Sequence, residues 1–291
     1  MVPDISTTPC KLIIAVDNYL KESTKELERR DRRNGKEEGK RIHVTGFNQK
    51  MPVGVQKWKD FLSNGENKND LIDTFGRYLK EEVVGKRELG EFDIIFSGRH
   101  NIWSWSRGVL KEEGSCNHEE ADTKIPLFAL ESASNVVAVA EDCDVLVLLM
   151  NMFALKRPSY KWVIKHGGGK YADVEEMCRN IGWDNSQLLM NYHAISGCDT
   201  TSYFFRAGKL NPFRKALEKN KLYLISNLGN CVNIEQNSIE SCLEFIRTVL
   251  YNGRPTETYL QTRIRLYDKE DTMLILVLNT SSDLIFVFLV G

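Results

Sequence analysis

Acidic residues gather at the edges of apolar segments in this 291-residue chain: Glu119-Glu120-Ala121-Asp122, then Asp142-Cys143-Asp144, then Gly197-Cys198-Asp199. Between the first two clusters runs Val136–Ala140, a short β-branched stretch of the kind that forms a buried strand. Carboxylates held close together repel, and a bound cation is the usual reason a fold tolerates them. Hard divalent ions such as Mg²⁺ and Mn²⁺ take oxygen ligands, and a pair of them held by carboxylates cleaves phosphodiesters. Each cluster also has a plainer reading. Glu119 and Asp122 suit the first turn of a helix, where the dipole favours acids. Asp144 suits an N-cap, although Glu141, Asp142 and Asp144 are more acids than a cap needs. Asp199 alone suits a turn or an N-cap. The order of the clusters and their placement at strand ends carry the metal reading.

The elements that would position these residues follow from periodicity. Lys11–Val16 reads as a strand with Asp17 at its C-terminal end. Lys21–Arg41 is dense in charge; within it Ser23–Arg33 reads as an exposed helix with a Ser N-cap, broken at Asn34-Gly35-Lys36. Val53–Leu62 and Asn69–Glu82 carry helical periodicity, the second with Leu71, Phe75, Tyr78 and Leu79 on one face. Glu91–Phe96 is a strand, and Arg99–Gly114 a loop in which Trp103 and Trp105 either stack on bases or anchor the loop. Then come helix His118–Leu130, strand Asn135–Ala140, helix Val145–Phe153, strand Tyr160–Ile164, and helices Asp173–Ile181 and Ser186–Ile195. This alternation argues for a mostly parallel sheet, with ligand sites beyond the carboxyl ends of the strands, where Asp17 and Asp142 fall. His166–Lys170 lacks the phosphate-loop pattern and reads as a turn between strand and helix. Cys116 and His118 lack the spacing of a zinc site. The apolar pieces Met273–Leu278 and Leu284–Val290 are too short to span a bilayer and read as a buried hairpin, or else as a non-native end.

Composition bounds the answer. A hydrophobic fraction of 42% supports a packed core, so wholesale disorder is excluded. With 39 basic and 40 acidic residues there is no global attraction to nucleic acid, and any such binding needs a local patch. Seven cysteines, odd in number and without a CxxC pair, point to reduced thiols in an intracellular compartment. The N-terminus shows no signal peptide.

The motifs together resemble the flap endonuclease/XPG-like branch of the PIN-like nucleases, most closely its asteroid-like members. Glu120-Ala121-Asp122, Glu141-Asp142-Cys143-Asp144 and Ser196-Gly197-Cys198-Asp199 are similar to that family's three acidic motifs, in order. The resemblance implies an α/β, PIN-like three-layer fold over residues 11–220, with a mostly parallel central sheet flanked by helices. Residues 21–41 would be a charged helical insertion and 197–220 a helix-turn-helix-like segment, leaving 221–291 unassigned. It further implies a two-metal Mg²⁺ or Mn²⁺ site held by Glu120, Asp122, Asp142, Asp144 and Asp199, with Asp17 completing the acidic floor. Lys25, Arg29, Arg30 and Lys209 would contact phosphates, although interleaved Glu22, Glu26, Glu28 and Asp31 equally suit a solvated ion-pair face. The expected activity is structure-selective cleavage of nucleic acid, DNA ahead of RNA, inside the cell and in the nucleus, with no membrane association. The alternative is a nuclease-like scaffold without catalysis that binds nucleic acid or protein. Three departures are visible. The family's turn glycine pattern is absent at Phe205-Arg206-Ala207-Gly208, and Pro126 should kink the first acidic helix. The family's first acidic strand has no room in the sixteen residues before Asp17, so the set is expected to be one carboxylate short, as in an N-terminally truncated chain.

Overall fold

The computed structural model describes residues 11–19, 39–46, 55–85, 92–98, 102–112, 120–166, 168–198, 204, 207–229 and 235–268. The expected helix Ser23–Arg33, the Cys116/His118 pair and the apolar pieces of the tail lie outside them. The chain divides into two compact units, Met1–Phe153 with Arg157–Glu175, and Ala154–Lys156 with Glu176–Gly291.

The first unit is mixed α/β, with two sheets among the described residues. One has strand order β1-β2-β3-β4, formed by Lys11–Ala15, Asp93–Ser97, Ile102–Ser106 and Val109–Glu112. β1 and β2 are parallel with Ile14 opposite Phe96, whereas β2, β3 and β4 are antiparallel. The segment expected as a loop is therefore a hairpin. Ile-Trp-Ser-Trp-Ser alternates with period two, which buries Trp103 and Trp105 on one face, and Trp103 stacks on Phe96 at 5.7 Å. Arg107 and Gly108, both at positive φ (49° and 78°), supply the tight turn that matches strand twist. With the tryptophans buried, they are core residues and not a stacking platform.

Two helices, α1 (Val55–Leu62) and α2 (Gly65–Gly85), precede β2. The face of α2 that packs on the aromatic core carries Ile72, Leu79 and Val83. Phe75 and Tyr78, expected on the buried face, are 40% and 48% exposed. Gly76 explains the rotation: a Cβ there would lie 2.5 Å from the Phe96 ring, so the helix meets β2 at a residue without a side chain.

The second sheet has order β5-β6-β7, from Val136–Val139, Trp162–His166 and Lys170–Asp173. β5 and β6 are parallel and β6 and β7 antiparallel. His166–Lys170 is thus a turn between two strands, with Gly168 and Gly169 at positive φ. Helix α3 (Ala121–Glu131) runs on through Pro126 and packs against both β1 and β5. Helix α4 (Cys143–Lys156) follows β5 and is apolar along most of its length, as suits an interior helix. Phe153 meets Trp162 edge-on at 5.3 Å.

The second unit is helical among its described residues: α5 (Val174–Ile181, beginning in the first unit), α6 (Trp183–Gln187), α7 (Leu189–Ser196), α8 (Leu210–Glu218), α9 (Gln236–Phe245) and α10 (Tyr259–Asp268). A 3₁₀ turn covers Leu222–Ile225, and a π turn, Ile246–Leu250, extends α9. Its core joins Tyr192 and Ile195 to Ala216, Ile225, Phe245 and Val249, so residues on both sides of position 220 share one interior. Near its edge the Arg265 guanidinium and the Arg254 N–H hold the Glu257 carboxyl down to about 2, against an ordinary 4.5.

Two outcomes are expected. Gly76→Ala should destabilise by roughly 1–2 kcal/mol in urea denaturation, because the clash with Phe96 outweighs the helix propensity that alanine gains. Glu257, with a depressed folded value, contributes stability that is complete above pH 4.5 and disappears as pH falls through about 2. Glu257→Gln should therefore flatten the acid side of a melting-temperature profile, and an unchanged acid limb would show that the pair contributes nothing.

Candidate metal centre

The end of β1 and the start of α3 are tied by two bonds that run in opposite directions. The Asp17 carboxylate accepts the backbone N–H of Ala121 at 2.8 Å. Glu120, the N-cap of α3, makes no side-chain capping bond, so Asp17 supplies from a distant part of the chain what the local residue does not. In return, Lys124 on the first turns of α3 donates from Nζ to the Val16 carbonyl at 2.7 Å and the Ser97 carbonyl at 3.5 Å. Val16 N–H also donates to Ser97 O at 3.2 Å, so the ends of β1 and β2 and the start of α3 meet at one place. Tyr19 OH donates to Asp17 at 3.2 Å. The buried Asn69 of α2 holds both backbone groups of Tyr19, at 3.1 and 2.9 Å, which fixes the chain just beyond Asp17.

The second acidic cluster opens α4. Asp142, expected as a ligand, is also the N-cap: its Oδ1 accepts the Asp144 N–H at 3.1 Å. Asp144, which the sequence suggested as the cap, is the second residue of the helix. One ligand atom each from Asp142, Cys143 and Asp144 lies within 4.8 Å of the others. Among the described residues this is the one group of three such side chains, and Glu120 and Asp122 do not join it. Asp142 and Cys143 are exposed and Asp144 is half-buried. Ala140, two residues earlier, is held by its N–H to Lys165 O and by its carbonyl to His166 Nδ1, both at 3.2 Å.

Direction relates the two acidic places. Only Ser132–Asn135 separate α3 from β5, and the two elements pack together. So short a link reverses the chain, which directs the start of α3 and the end of β5 toward the same end of the unit. Asp17, Glu120, Asp122, Asp142 and Asp144 therefore share an end, although only Asp142 and Asp144 are close neighbours with a third ligand. Asp199, Lys25, Arg29 and Arg30 lie outside the described residues. Lys209 is exposed at the N-cap of α8 in the second unit, where its carbonyl accepts the Tyr192 hydroxyl.

The two carboxylates suit a hard cation, whereas the Cys143 thiol between them is a soft donor. Opposite oxygens around a Mg²⁺-sized ion with bonds of about 2.1 Å stand about 4.2 Å apart, within the reach of this pair. The residue that sequence reasoning passed over is Lys124. Its signal was a lysine two positions after Asp122 in a helix start, where the dipole disfavours a cation. Comparison with protein-family models, with characterised proteins and with solved structures finds no match to the chain. No described helix is long and apolar enough to cross a membrane.

Proposed function

We propose that this chain carries a PIN-like nuclease site that hydrolyses phosphodiester bonds of nucleic acid with Mg²⁺ or Mn²⁺. The observation that carries the reading is the Asp142–Asp144 pair at the junction of β5 and α4, on the same end of the unit as Asp17 and the start of α3. When bound, the metal supplies an activated water and neutralises the charge of the departing oxygen. Asp142 would hold it through its carboxylate, whose Oδ1 also accepts the Asp144 N–H. Asp144 offers a second oxygen from the first turn of α4, whose dipole stabilises both carboxylates. Asp17, Glu120 and Asp122 complete the acidic end of the first unit in this proposal.

The three-layer arrangement belongs to the same proposal. β1 and β5 are both edge strands lying under α3, and their carboxyl ends share a direction. Joining the two edges would give one sheet in the order β4-β3-β2-β1-β5-β6-β7. Val136 and Ala140 N–H point to β6, so those of Val137 and Val139 point to the open edge, as do those of Ile13 and Ala15 on β1. Slow amide exchange at these four positions is expected if the sheets join, and rapid exchange at all four rules the single sheet out.

Asp142→Asn tests the activity. Asparagine caps a helix about as well as aspartate, so this variant should melt within a few tenths of a kcal/mol of the parent, while Asp142→Ala should lose about 1 kcal/mol. Flap and single-stranded DNA and RNA substrates, labelled with a fluorophore, should be cut by the parent in Mn²⁺ and not by Asp142→Asn. Metal-insensitive binding without cutting by the parent would instead identify a nuclease-like scaffold.

A further inference from the structure

We propose that Lys124 is a positioning residue that sets the acidic end of the first unit. Lys124 is 2% exposed, so its ammonium is removed from water. It also stands in the first turns of α3, where the positive end of the helix dipole opposes a cation. A charge buried there is retained only where acceptors and nearby negative groups compensate it. The acceptors are the carbonyls of Val16 and Ser97, at the carboxyl ends of two parallel strands; the Ser97 carbonyl also accepts the Val16 N–H, so the ammonium joins a backbone bond already there. The nearest negative group along the strand is Asp17, which follows Val16.

The geometry makes the lysine one half of a reciprocal link. β1 reaches α3 through the Asp17 carboxylate on Ala121 N–H, and α3 reaches β1 through Lys124 on Val16 O. One bond alone would let α3 pivot about a single contact. Two bonds on the successive residues Val16 and Asp17 just beyond β1, meeting α3 at residues three apart, fix both the distance and the rotation of the helix start. Glu120 and Asp122 flank Ala121, so their side chains are carried by whatever holds that amide. Lys124 thus touches neither metal nor substrate in this proposal and acts through Asp17 and the first turn of α3. Its effect on metal affinity rests on the nuclease reading; the link to Asp17 does not.

The test compares the full chain with Lys124→Met, which keeps the apolar stem, and Lys124→Arg, which keeps a charged donor. Two readings are taken below the melting transition: amide exchange at Ala121 and Mn²⁺ affinity by calorimetric titration. Loss of the ammonium should speed Ala121 exchange and weaken Mn²⁺ binding, each by about tenfold, the range for residues that orient metal ligands without touching the metal. Lys124→Arg should recover most of both. A folded Lys124→Met with the parent's Ala121 exchange and Mn²⁺ affinity overturns the proposal. If the parent binds no Mn²⁺ while Ala121 exchange still accelerates in the variant, the metal reading falls and the positioning of α3 stands. Should Lys124→Met not fold, Lys124→Gln, an uncharged donor on a shorter stem, serves the same comparison, and unchanged values in it overturn the proposal equally.

Discussion

A carboxylate at the end of one strand and an ammonium on one helix, each reaching across to the other's backbone, hold the start of α3 against the end of β1. Asp17 answers a helix N-terminus that its own N-cap residue leaves without a side-chain bond, and Lys124 answers the carbonyls at which the β1–β2 ladder stops. The Ala121 N–H and the Val16 carbonyl are groups at the boundaries of regular structure, where the helix and strand ladders end. The link therefore satisfies the ends of three elements at once, and it does so with charged partners, whose hydrogen bonds are the stronger kind. Everything downstream inherits this geometry. The start of α3 sets where α3 lies across β1 and β5, and the short Ser132–Asn135 connection then sets where β5 delivers Asp142.

The same economy operates at α4. A helix N-terminus attracts negative charge and offers free N–H groups, so an acidic residue there is favoured before any metal is considered. Asp142, an exposed residue, meets that demand with one oxygen. Stability thus accounts for one of the two acids. Asp144, the second helical residue, gains from the dipole but lies close enough to Asp142 for the two carboxylates to repel. The fold offsets that repulsion in part through the dipole and through exposure to solvent, and a cation would offset the rest.

How much of this was legible in the sequence depends on the range of the interaction. The strands Lys11–Ala15 and Val136–Val139 and the apolar α4 were readable because burial imposes a local period on them. The β3–β4 hairpin was legible in principle, since Trp-Ser-Trp alternates and Arg-Gly suits a tight turn, but two tryptophans in a polar stretch read as partly buried anchors of a loop. The rotation of α2 was not legible, because it is decided by Phe96, twenty residues from Gly76 and in another element. The cap on Asp142 was off by two residues for a local reason: in Asp-Cys-Asp either acid satisfies the same rule, and only backbone geometry chooses. Lys124 was invisible as a partner of Val16, since nothing in a helix's own pattern names the carbonyl that a lysine will meet more than a hundred residues away.

That long separation has a thermodynamic consequence. The Asp17–Ala121 and Lys124–Val16 bonds close a loop of about a hundred residues, and forming the first of them carries nearly the whole entropic cost of closure. Once one bond exists, the second adds little ordering, so the two should form and break together. The acidic end of the unit is then either assembled as a whole or not at all. A site whose carboxylates repel benefits from such cooperativity, because partial opening would place those charges in variable positions that no single cation could satisfy. The buried ammonium beneath the acids thus complements the cation proposed above them. One positive charge is built into the fold and holds the frame, and the other, when it binds, meets carboxylates already set in place.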